Sequence, residues 1–180
     1  MSGRLTMMGV VPFGAGDTSG KRAAAVQHGK EQAALQEPGS VRERLFAMQA
    51  SMGDMPEAEC PLQHTFAPGV YVRTIFIPAG TVLVGKIHKH AHANILSSGD
   101  VSVMTESGGI ERLIGPLTMV SAPGTKRAVY AHTDTTWTTI HPTDATDLDE
   151  IEADVIAPTF EDYERFSLRG NSMKNIEVMA

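Results

Sequence analysis

The sequence predicts an all-β body with a flank at each end, and three observations predict it. Between residues 61 and 142, short β-branched and aromatic runs alternate with turn signals roughly every ten residues, the cadence of an antiparallel sandwich or barrel. Inside that region His88, His90 and His92 fall at every second position, the spacing of one strand face. Residues 1–60, by contrast, are rich in Gly, Ala, Gln and Met, and residues 143–180 open on a cluster of carboxylates.

In chain order, the first flank has too few β-branched or aromatic residues to build a core. The stretch "GAGDTSGK" at 14–21 is expected to be flexible, and "RAAAVQHGKEQAALQ" at 22–36 has helix formers stopped by Pro38-Gly39. A better helix is predicted at about 40–52. Ser40 and Glu43 make a capping box, and Val41, Leu45, Met48 and Met52 fall on one face. One such stripe must dock on the main domain or on another subunit. Methionine suits adaptable contacts of that kind, and the chain has ten.

The body follows as about eight strands: "VYVRTIFI" (70–77), "TVLVGKI" (81–87), "ANIL", "VSVMT", "IERLI", "LTMVS", "RAVYAH" and "TWTTIH". In the last flank, "DATDLDEIEADVI" (144–156) has carboxylates suited to a helix start, with Leu148, Ile151 and Val155 at helical spacing. After Pro158, "TFEDYERF" places Phe160, Tyr163 and Phe166 on a second short helix. The acidic run reads first as a solvated helix face, with a partner-binding tail as the alternative.

Composition narrows the function. Hydrophobic residues are 42% and charged residues 20%, as in a globular domain. No apolar run approaches the roughly 20 residues that span a bilayer, so no membrane partner is expected. A formal charge of −6 opposes a general nucleic-acid binder. Cys60 is the single cysteine, which leaves no intramolecular disulfide and no Cys-based zinc site, and fits assembly in a reducing cytoplasm. The Gly-rich stretch ending in Lys21 has the wrong spacing and no preceding strand for a phosphate loop. Ser98, Ser121 and Thr125 sit at turns, where small hydroxyl residues are ordinary.

The histidine stripe can be tested geometrically. Same-face neighbours on a strand are about 6.5 to 7 Å apart, so His88 and His92 would lie about 13 Å apart on an unbent strand. Metal–imidazole bonds of about 2.0 to 2.1 Å cannot span that. A site would therefore use His88 with His90, or His90 with His92, and borrow a ligand such as His132 or His141 from another strand. No Asp or Glu lies between residues 86 and 99. Trp137 and His141 share strand parity and are further pocket candidates.

The stretch "PAGTVLVGKIHKHAHANILSSGDVSV" resembles the first motif of the cupin superfamily, whose fold is a jelly-roll β-barrel. His88 and His90 match its histidine pair and Gly99 its turn glycine, but Asn94 stands where the motif has a glutamate ligand. "SAPGTKRAVYA" resembles the second motif, with Gly124 at the glycine and Arg127 in place of the final histidine. Asn coordinates weakly and Arg not at all, since a guanidinium has only donors. The resemblance covers about residues 68–142. It implies a cupin-type jelly roll whose metal cage has lost ligands, so no cofactor is expected, although a divalent metal on His88, His90 and His132 is the alternative.

The runs "IHKHAH", "PGTKRAVYAH" and "TTWTTIHPTDATDLDEIE" are similar to cupin-like proteins of tailed phages and prophages. That likeness implies a non-catalytic structural protein of a virion, in capsid decoration or in tail, collar or fibre attachment. Such a protein would be assembled in the host cytoplasm, with copies of itself and other virion proteins as partners and the two flanks as fasteners. The alternatives are a small metal-dependent cupin enzyme of dioxygenase or isomerase type, and a metal-free binder of a small ligand that uses Arg127 as an anion clamp.

Overall fold

The computed structural model describes residues 10–12, 39–53, 55–105 and 109–177. The alternating runs become strands β2 (Leu62–Ala67), β3 (Val70–Ile77), β4 (Thr81–Val84), β5 (Ile87–His88), β6 (His92–Ser98) and β7 (Asp100–Thr105). They continue as β8 (Ile110–Ile114), β9 (Leu117–Ser121), β10 (Arg127–Ala131) and β11 (Thr135–Pro142). A short strand β1 (Val10–Pro12) precedes them, and β12 (Ile156–Ala157) follows.

Two antiparallel sheets form, ordered β1-β4-β10-β7-β8 and β2-β3-β11-β6-β9, with β12-β5 as a small third sheet. The chain changes sheets between β3 and β4, β6 and β7, β8 and β9, β9 and β10, and β10 and β11. Repeated crossing of that kind is the jelly roll. Each crossing lets both sheets bury alternate side chains on one core. That core is Ile75, Ile77, Leu96, Val101, Val103, Leu113, Val129, Ala131 and Trp137.

The β6–β7 crossing depends on Gly99. Its φ is +116°, and a Cβ there would lie 2.2 Å from Thr135 Oγ1. Only glycine fits.

The long "TVLVGKI" run does not stay one strand. β4 stops before Gly85, and β5 pairs with β12 (Ile156↔His88) rather than with either large sheet. The chain then bends at Lys89 and His90 before β6 begins.

The flanks dock on their own barrel. In α1 (Val41–Ser51) both arms of the Ser40–Glu43 capping box are present. Leu45 and Met52 are buried with Val82, Val84 and Ala128, so the helix stripe covers the outer face of β4 and β10. β1 adds to the free edge of β4, with Val10 opposite Leu83. Residues 14–21 and 22–36, with their expected flexibility and helical tendency, lie outside the described residues.

At the other end Asp147 caps α2 (Leu148–Val155) by accepting from the backbone N–H groups of Asp149 and Glu150. Ile151 and Val155 bury against Tyr71 and Ile156, so the acidic helix is solvated on one face only. The second C-terminal helix, α3 (Phe160–Glu177), is 18 residues long rather than short. No proline or glycine follows Phe166 until Gly170, and Arg165 ties back to Glu161 and Asp162. Phe160 meets Phe46 of α1 edge-on at 6.3 Å, joining the two flanks.

Candidate functional site

The barrel interior is apolar at one end and polar at the other, and strand register shows why. Ile75, Trp137 and Leu96 form one cross-strand row, since Trp137 pairs with both of the others. The next inward row is Arg73, Thr139 and Asn94. Beyond it Tyr71 pairs with His141, and His92 pairs with Ser121. Between apolar and polar ends lies a cavity of about 70 Å³, with Arg73, His88, His92, Asn94, Arg127 and Trp137 among its walls.

Three imidazoles gather at its polar end, and two of them, His88 and His92, line it. His88, His92 and His141 have ring nitrogens within 4.8 Å of one another. Their rings stack, with centroids 4.0 Å apart for His88–His92, 5.1 Å for His88–His141 and 4.8 Å for His92–His141. His88 comes from β5, His92 from the start of β6 and His141 from the end of β11. The backbone N–H of Gly124 donates to the His88 carbonyl at 2.8 Å, so the "APGT" turn holds that segment in place.

The cluster is neutral at pH 7. Burial lowers the His88 pKa well below its usual value, helped by His92, His141, Arg73 and Arg127. Burial also lowers His92, partly offset by its bond to the His90 carbonyl. His141 is lowered to about 4, by burial first and then by His92 and Arg73. Neutral imidazoles keep a lone pair for a metal. The His92 Nδ1 lies 3.2 Å from the His90 carbonyl. A carbonyl only accepts, so Nδ1 carries the proton and Nε2 the lone pair. The buried Nδ1 of His88 has no hydrogen-bond partner.

These features fit a divalent metal ion. Ligand nitrogens about 2.05 Å from one tetrahedral ion lie about 3.4 Å apart. The widest pair, within 4.8 Å here, would have to close by up to about 1.4 Å through ring rotation and a small backbone shift.

The expected ligand set His88, His90 and His132 is not brought together. The bend at residues 89–90 breaks the period-two face, so the unbent-strand separation of His88 and His92 does not apply. His90 turns outward, edge-on to Phe166 at 5.1 Å and 4.0 Å from an Asp154 oxygen. His132 is exposed in the β10–β11 turn, 2.7 Å from Ser102 Oγ. The third imidazole is that of His141.

Asn94 is committed elsewhere. Its Oδ1 accepts from Trp137 Nε1 at 3.0 Å, and its Nδ2 donates to Ser121 Oγ at 2.8 Å. Arg127 donates to the same Ser121 hydroxyl and lies 5.9 Å from the Trp137 ring centroid. Cys60 stays outside this chemistry, its pKa pushed up to about 11 by burial and by Glu57.

Sequence reasoning missed Arg73. It sits inward on β3 between buried Tyr71 and buried Ile75. A charge at a core-parity position was the available signal.

No protein-family model matches the sequence, and no curated protein matches it. Solved structures similar to it include cupin-family proteins. An RmlC-like cupin with a double-stranded β-helix fold from Methanocaldococcus jannaschii is 10% identical over 48% of this chain and 82% of its own, with TM-score 0.41. KdgF from Halomonas sp. is 16% identical over 53% and 87%, with TM-score 0.43. Ectoine synthase from P. lautus is 13% identical over 59% and 80%, with TM-score 0.46.

Proposed function

We propose that this chain is a metal-binding cupin that holds a divalent transition-metal ion on His88, His92 and His141, with a small molecule beside it. The observation that supports this most strongly is the convergence of three neutral, largely buried imidazoles from three separate segments. Imidazole ligands suit zinc, iron, copper and nickel. Such an ion supplies Lewis acidity, with open positions for a ligand. The chain's own part is positioning. The His90 carbonyl sets the His92 tautomer, the Gly124 N–H holds the His88 segment, and Asn94 braces Trp137 as a cavity wall. A small enzyme of dioxygenase or isomerase type is the corresponding class.

Metal analysis of untagged protein, as purified and after incubation with zinc, iron or manganese, tests this reading. It requires near-stoichiometric metal that is lost in His92→Ala. Traces of every metal under all conditions would reject it.

A second reading, implied by the likeness to phage-encoded cupin-like proteins, is a structural role in a virion beside copies of itself and other virion proteins. Its support is an exposed apolar corner. Ile110, Ile114, Leu117 and Val120 are exposed on β8 and β9, each the outermost strand of its sheet. Mass spectrometry of purified virions would detect the chain and its copy number; a virion without it removes this reading.

A further inference from the structure

Two guanidinium groups share the barrel cavity. Arg73 enters from β3 and Arg127 from β10, on opposite sheets. Burial disfavours the charged form of both, yet a guanidinium stays protonated in proteins. Two like charges withdrawn from water need an opposing charge.

The described residues do not supply one. No Asp or Glu lines the cavity, and neither arginine makes an ion pair there. Glu152, whose field reaches Arg73, is held by Lys86. Arg127 donates to a neutral hydroxyl, that of Ser121. Arg73 Nε is buried with no acceptor at all. A buried donor left unmade is costly, so its retention beside a cavity points to an acceptor that arrives from outside.

We infer that the cavity binds a small carboxylate, clasped between Arg73 and Arg127 beside the three histidines. Size and shape limit the ligand. A cavity of about 70 Å³ seats a group of roughly five non-hydrogen atoms, the size of a carboxylate on a short carbon chain. A planar carboxylate matches the guanidinium fork through paired N–H···O bonds. Trp137, Ile75 and Leu83 form the apolar walls that suit a short carbon chain.

This inference rests on the proposed metal-binding reading in one consequence only. An ion on the histidines would add to the positive charge of Arg73 and Arg127, so metal and carboxylate should each strengthen the other's binding. The clasp itself needs no metal.

The test is thermal unfolding of the full chain, freed of metal by a chelator and titrated at constant ionic strength with acetate, propionate or phosphate. At a carboxylate concentration far above its Kd, the melting temperature should rise by about 5 °C. Arg73→Met should melt higher than the parent without ligand, because it removes an uncompensated buried charge, and should lose the carboxylate response. Arg127→Met should also lose it, and Arg127→Lys should keep only part, having the charge without the fork.

No response to any carboxylate, or a response kept in both Met variants, overturns the inference. So does a lower ligand-free melting temperature for Arg73→Met, which would mean that the protein already compensates the charge. Stabilisation by phosphate alone overturns the carboxylate assignment. Zinc affinity with and without acetate separates the two proposals, with a gain of about tenfold expected. Zinc binding that ignores acetate, without response in metal-free protein, sinks the clasp and leaves the metal reading standing. A carboxylate response in protein that binds no metal does the reverse.

Discussion

The amide oxygen of Asn94 accepts the indole N–H of Trp137 at 3.0 Å, while its amide nitrogen donates to Ser121. Asn94 thereby braces three strands, β6, β9 and β11. Removing it leaves a buried indole N–H unpaired. Asn94→Ala should therefore cost about 2 to 3 kcal/mol in urea unfolding. Combined with Trp137→Phe, the loss should fall short of the sum by about 1 kcal/mol or more. Strict additivity would show that the bond carries no weight.

Protonation should destabilise the fold. The folded pKa values of His88, His92 and His141 all lie below the usual histidine value, that of His141 at about 4. In that window the unfolded chain binds more protons than the folded one. Metal-free stability should thus be fully present above about pH 6.5 and be lost as pH falls towards 4, by up to about 1.4 kcal/mol per pH unit for each histidine. Urea midpoints across that range check the slope, and His141→Gln should flatten it. Equal slopes for parent and variant would contradict the neutral cluster.

Three glycines with positive φ make a graded series. Gly99→Ala drives a Cβ into Thr135 at 2.2 Å, and Gly124→Ala drives one into the Tyr163 ring at 2.5 Å, whereas Gly69 has open space around it. Gly69→Ala should cost about 1 kcal/mol from backbone strain alone. Gly99→Ala should cost well over twice that, because its obstacle includes the Thr135 backbone. Gly124→Ala should fall between them, since a side chain at the helix surface can shift. Thermal melts rank the three.

The N-terminal helix should behave as part of the barrel. Leu45 is fully buried against Val82, Val84 and Ala128, so Leu45→Ala should cost about 3 kcal/mol. Ser40→Ala, which removes one arm of the capping box, should cost about 1 kcal/mol. Hydrogen exchange in α1 should slow to near the rate of β4. Exchange as fast as in an isolated peptide would show that the helix belongs to some other partner.

Much of the body was legible because β-branched runs and Pro/Gly turns are local signals. "VYVRTIFI" is β3 to the residue, and Ser40 and Glu43 cap α1 as their spacing requires. The site was less legible, for two physical reasons. The bend at residues 89–90 follows the pairing of β5 with β12, in which Ile156 stands opposite His88, and no window around the histidines contains it. Arg73 reads as an ordinary strand residue until its parity with Tyr71, Ile75 and Ile77 is taken as a statement about the core. The strand β1 was invisible because three residues cannot show a period.

In the proposed metal site, the bend at residues 89–90 sets His88 and His92 beside His141, which supplies the third imidazole. The most direct test is zinc affinity by competition with a chromophoric chelator, comparing His141→Ala with His132→Ala in the full, untagged chain. A loss of at least about a hundredfold is expected for His141→Ala, as for a lost ligand, and no change for His132→Ala. Equal affinities in the two variants, or a loss confined to His132→Ala, would contradict the proposed site.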